Sequence, residues 1–196
     1  MKNIPAVCIS LLLTMCGGEI FAQTEKGNFL VGGSMGLSHS SNNNNNLTAF
    51  SLSPNVSYFF VDNLAAGIML NTAASRSTTD GSDNKTTTSS ISAGPTIRYY
   101  FPVTEKFYIF PEMDLLFGSS TSKVTNPPIT ETTSKTNQTV FRLGAGGSYF
   151  IAKNVSLEGF LYYQDQNLRV DSGASTSTSS INFRVGLQVY ILRNSN

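Results

Sequence analysis

SSINFRVGLQVYILRN, residues 179–194, alternates with almost no error. Ile181, Phe183, Val185, Leu187, Val189 and Ile191 fall on one parity, and Asn182, Arg184, Gly186, Gln188 and Tyr190 fall on the other. A period of two means a β-strand whose two sides meet different surroundings. In a soluble sheet the greasy side faces a core and the polar side faces water. In a membrane barrel the assignment is inverted, with the greasy side in lipid and the polar side lining a lumen. One strand does not separate the two; the rest of the chain does.

The opening MKNIPAVCISLLLTMCGGEIFAQ places Lys2 before an apolar stretch from Ile4 to Cys16, then small residues up to Ala22. This is the order of a secretory signal, with cleavage expected after Ala22. It is too short to span a bilayer, which takes roughly 20 apolar residues. Residues 1–22 are therefore expected to be a signal peptide and residues 23–196 a single mature domain. Both cysteines, Cys8 and Cys16, lie in the leader, so the mature chain is neither a disulfide scaffold nor a thiol enzyme. Removing Lys2 and Glu19 from the 13 basic and 12 acidic residues leaves 12 and 11, without the basic surplus a nucleic-acid partner would demand. Charged residues make up 13% of the chain, about half the usual share.

Eight alternating stretches follow the leader: residues 27–39, 48–61, 64–76, 88–102, 107–121, 137–151, 155–167 and 178–192. Each exceeds the 9 to 11 tilted residues, roughly, that cross a bilayer. The second, fourth and sixth connections are tight: Asp62-Asn63, Val103 to Lys106, and Ala152 to Asn154. The first, third, fifth and seventh are long and polar, as in SSNNNNN at 40–46 and STTDGSDNKTT at 77–87. Short and long connections segregated to opposite ends are what an up-and-down antiparallel barrel inserted from the periplasm produces, with short periplasmic turns and long external loops.

The faces support the inversion. Every charge at mid-strand depth, Arg98, Glu112, Asp114, Arg142, Glu158 and Arg184, lies on the polar parity. On the lipid face at the midplane an arginine or lysine would cost roughly 2–4 kcal/mol. From the fourth strand to the eighth the signs run plus, minus, plus, minus, plus, so each charge has an opposite neighbour one strand away. Arg98 is expected near Glu112 and Asp114 at the height of Arg142, with the partner of Glu158, Arg142 or Arg184, left to the shear. Water-facing sheet charges would also pair across strands, but they leave unexplained why charges avoid one face on all eight strands while no second greasy layer exists to cover that face. The expected result is an ion-pair network inside a narrow lumen. Phe29, Tyr58, Phe60, Tyr99, Phe101, Phe107, Tyr149 and Tyr190 lie near the strand ends that meet the short turns or chain termini, where an interfacial aromatic girdle belongs.

With its eight strands, its alternation of loop length and its last strand INFRVGLQVYILR, the chain resembles the small eight-stranded outer-membrane barrels of the OmpX and OmpA transmembrane-domain type. The resemblance implies an all-β fold, an eight-stranded antiparallel up-and-down transmembrane β-barrel after a cleaved signal peptide. It also implies outer-membrane lipid as the surroundings, the barrel-assembly machinery as a partner during biogenesis, and loops free to meet a surface ligand. Members commonly end on an aromatic residue used in assembly; here Arg193-Asn194-Ser195-Asn196 follows the strand.

Candidate chemistry is sparse. His39 and Ser41 repeat the His-x-Ser spacing of barrel lipid A deacylases, but no acidic residue nearby completes the set. Glu112 and Asp114 share a face and could mimic an acid/base pair, yet arginines on both neighbouring strands favour ion pairing. No metal-ligand cluster, P-loop or dinucleotide-binding glycine string is present, so neither cofactor nor metal is expected. Eight strands enclose room for side chains or one small ligand, which argues against a diffusion pore. The expectation is a non-enzymatic outer-membrane protein serving envelope structure or surface contact, with a lipid hydrolase at His39 and Ser41, or a secreted lipocalin-like ligand-binding barrel, as alternatives.

Overall fold

A computed structural model describes residues 22–42, 45–79, 85–126, 130–169 and 175–193. Of the expected signal peptide, only Ala22 is among them. A single 3-10 turn, Ala22–Thr24, precedes β1 (Phe29–Asn42), β2 (Asn45–Val61), β3 (Leu64–Thr79), β4 (Lys85–Tyr99), β5 (Phe101–Pro102), β6 (Phe107–Asn126), β7 (Thr130–Ala152), β8 (Val155–Arg169) and β9 (Ser175–Ile191). All neighbours pair antiparallel in the order β4-β3-β2-β1-β9-β8-β7-β6, and a β4–β6 ladder closes the ring of eight. The ninth element is a fragment of the fourth stretch: Tyr100 donates its backbone N–H to Asn63 O at 2.8 Å, which leaves the ladder and detaches Phe101–Pro102 as β5.

The short connections fall where the sequence places them. Asn63 takes φ 67°, a left-handed turn conformation that asparagine tolerates better than most residues. In the second turn Thr104 Oγ1 accepts from Phe107 N at 3.1 Å. The long connections are shorter than expected, because their Ser/Thr-rich flanks are strand. Between β6 and β7, across the fifth of the connections expected to be long and polar, the ladder runs on to Asn126↔Thr130. Cross-strand neighbours there are Val124↔Thr132 and Lys123↔Thr133, rich in β-branched residues whose strand preference outweighs the loop-like composition.

The wall is inverted as anticipated. Leu143, Leu157, Leu187 and Phe183 are half-exposed on the outside, while Arg98, Glu112, Asp114, Arg142, Glu158, Arg184 and Gln188 are buried in the interior. Each of these leucines meets a similar residue across its ladder, as in Leu157↔Leu187 and Met113↔Leu143. Every wall joint but one extends far towards the loop end. β1 and β9 pair only from Phe29↔Ile191 to Met35↔Val185, although β1 stays paired with β2 as far as Asn42↔Asn45. Beyond Met35 the two strands part, and Leu37 and Ile181, each 76% exposed, flank the gap.

Leu143→Arg is expected to lower the free energy of unfolding in lipid vesicles by about 2–4 kcal/mol. On a water-facing surface a change at a half-exposed leucine stays within about 0.5 kcal/mol. Denaturant titration of both proteins in vesicles distinguishes the two.

Candidate functional site: a filled lumen

The interior is layered along the barrel axis. Next to the short turns lies an aromatic layer of Phe59, Tyr100, Tyr108, Phe110, Phe150, Phe160, Tyr162 and Tyr190, closed by Leu30 and Ala65. Phe110 and Phe160 stack with ring centroids 5.8 Å apart and planes 7° from parallel. Phe150 packs on Tyr190 at 4.9 Å. These rings share the parity of the charges. In sequence they hide inside continuous apolar runs such as Phe59-Phe60 and Phe107 to Phe110, where alternation is broken.

Above the rings sits the ionic layer. Glu112 is held between Arg98 and Arg184: its Oε2 accepts from Arg98 Nε at 2.5 Å, and its Oε1 pairs with Arg184 Nη2. Arg98 Nη1 also donates to Glu158 Oε2 at 2.8 Å and to the Tyr100 hydroxyl at 2.8 Å. Asp114 accepts from Thr96 Oγ1 at 2.6 Å and lies 3.7 Å from Arg184 Nη1. The guanidiniums rest on the rings beneath, Arg98 at 4.3 Å from the Phe110 centroid and Arg184 at 4.4 Å from that of Phe160. Among the described residues three arginines face three carboxylates, so these enclosed charges balance.

Two expected pairings change. Asp114 stands opposite Arg142 in the ladder, but its ion contact is with Arg184. Arg142 instead donates to Gln164 Oε1 at 2.8 Å and Asn71 Oδ1 at 3.0 Å. Glu158 pairs with neither Arg142 nor Arg184 but with Arg98. The reason is reach. Arg98 to Glu158, Arg184 to Glu112 and Arg142 to Asn71 each join strands that are not neighbours in the ring. In so narrow a barrel, a long side chain crosses the lumen as readily as it follows the wall.

Phe29, Phe60, Phe107 and Tyr149 are exposed on the outer wall, and Tyr58, Tyr99 and Phe101 are partly exposed there. Tyr58 contacts both Phe29 and Phe60, at 5.1 and 5.0 Å. Tyr190 is a correction: it has the parity of Arg184 and Gln188, points inward, and is fully buried. His39 and Ser41 sit in β1 opposite Thr48 and Asn46, and their side chains lie outside what is described. Among the described residues no group of three or more His, Cys, Asp or Glu could hold a metal ion. A cavity of about 10 Å³ beside Ser34, Asn55, Glu158 and Gln188 has room for roughly one water.

Residues 8–188 match the outer membrane protein beta-barrel domain family. No curated protein matches the chain. Among solved structures, a major outer membrane protein from Thermus thermophilus is similar at 15% identity and TM-score 0.57, covering 84% of this chain and 99% of that one. Neisserial surface protein A is similar at 16% identity and TM-score 0.47, with 84% and 97% covered. OprG from Pseudomonas aeruginosa stands at 11% identity and TM-score 0.45, with 88% and 99% covered.

Glu112→Gln removes the carboxylate that Arg98 and Arg184 share. Breaking one partner out of a buried ionic set costs about 3–5 kcal/mol. The variant is expected to lose its compact, fast-migrating gel form at a clearly lower temperature than the parent; an unchanged transition temperature would contradict the arrangement.

Proposed function

Because this chain belongs to the outer membrane protein β-barrel domain family, we propose that it is a non-enzymatic, sealed anchor that holds its long connections and strand extensions at the cell surface for envelope structure or surface contact. It is an integral outer-membrane barrel, and the secreted lipocalin-like alternative gives way on that point. The observation that carries the rest is the filled interior. A ring layer and a charge-neutral ionic layer occupy the same cross-section that a solute would have to pass.

The extensions support the contact role. β7 runs for 23 residues, about twice what a tilted strand needs to cross a bilayer. Its excess, paired with β6 up to Asn126↔Thr130, forms a stiff Ser/Thr-rich hairpin rather than a limp loop. On this reading the partners are outer-membrane lipid along the wall, the barrel-assembly machinery during insertion, and a surface ligand at the loop end. The short turns then face the periplasm. The hydrolase alternative draws on His39 and Ser41 alone, and no acidic residue nearby in the sequence completes the set.

In planar bilayers the purified protein is expected to show no conductance steps, and regular steps of ion-channel size would overturn the sealed reading. Trypsin added to intact cells is expected to cut after Lys85 or Arg169, which are exposed at the ends of β4 and β8 away from the short turns, and to spare Lys106 in the Val103 to Lys106 turn. Cleavage at that turn instead would reverse the orientation.

A further inference from the structure

Where β1, β2 and β9 meet the short-turn end, the outer wall carries a groove of about 440 Å³ lined by Gly27, Phe29, Tyr58, Ile191, Leu192 and Arg193. Its wall on the barrel side is greasy and open: Phe29 and Ile191 are half-exposed ladder partners, and Tyr58 packs on Phe29 at 5.1 Å. Its end nearest the short turns carries a cation, Arg193. Arg193 donates its backbone N–H to Asn28 Oδ1 at 2.9 Å, which ties the residue after the last strand to the residue before the first. Gly27, at φ 99°, is bare where Arg193 crosses it, and Arg193 Cδ passes 3.4 Å from the position a Cβ would take. Among the described residues no carboxylate pairs with Arg193, and none lines the groove.

We propose that this groove binds one anionic glycerophospholipid, its phosphodiester on the Arg193 guanidinium and an acyl chain along Phe29, Tyr58 and Ile191. Arginine offers a planar fork that matches two phosphate oxygens. Aromatic rings at that height mark the boundary between hydrocarbon and headgroups, so cation and rings are spaced as a lipid's phosphate and chain are. A zwitterionic headgroup gains less here, because no acidic side chain in the groove receives its ammonium. The site rests on the orientation proposed above, which puts it in the phospholipid leaflet facing the periplasm.

Native mass spectrometry of the mature protein released from detergent, titrated with phosphatidylglycerol, phosphatidylcholine or inorganic phosphate, tests it. The parent is expected to retain one phosphatidylglycerol and to prefer it over phosphatidylcholine by about tenfold, the worth of a charged hydrogen bond. Arg193→Gln is expected to erase that preference and Arg193→Lys to restore part of it. All three proteins should keep the heat-dependent gel shift of a closed barrel, since the Asn28 bond uses the backbone of residue 193. Equal retention of both lipids by the parent, an unchanged preference in Arg193→Gln, or capture of inorganic phosphate in place of lipid would each overturn the proposal. The assay is blind to orientation, so its failure leaves the protease result standing, and the reverse.

Discussion

An ionised side chain has no place in hydrocarbon, and at mid-depth in this barrel the only alternative is the lumen. Arg98, Arg142 and Arg184, together with Glu112, Asp114 and Glu158, are enclosed there in equal number, and Glu112 is gripped by two guanidiniums at once. Desolvating such a set is costly unless each member is paired and hydrogen-bonded. The aromatic layer beneath it therefore has two roles. Its faces receive the arginines, and its bulk keeps water from prising the pairs apart.

Much of this was legible in the sequence. Alternation gave the face of every charge, because a strand admits just two sides and the penalty for choosing the lipid side is large. The tight turns were legible too, from Asp62-Asn63 and the run ending at Lys106. Three things were not. Tyr190 sits at a strand end where an interfacial ring was plausible, and only its shared parity with Gln188 betrays that it points inward. The Thr-rich flanks of β6 and β7 read as loop by composition, whereas pairing turned them into strand. The cross-lumen partners Arg98 and Glu158 lie sixty residues apart on non-adjacent strands; adjacent-strand logic cannot find them, since they depend on the diameter of the closed ring.

With the interior filled, the two ends and the outer wall are the surfaces left open to contact. At one end β6 and β7 run on as paired strands as far as Asn126↔Thr130. At the other, the stretch from Gln23 to Asn28 lies against the short turns: Asn63 N donates to Thr24 O at 2.7 Å, and Gln23 Nε2 to Lys153 O at 3.1 Å. The residues just ahead of β1 are thereby stitched to two separate turns.

The joint between the first and last strands holds seven ladder pairs, against fourteen between β1 and β2 and fifteen between β8 and β9. A cylinder pulled sideways tears along its thinnest weld, and here that weld runs for half the height of its neighbours. Tension arriving through the protruding hairpins would be relieved by unzipping from Met35 and Val185 downward, leaving the other seven joints intact. The cylinder is thus closed by its shortest seam, the one between its first and last strands.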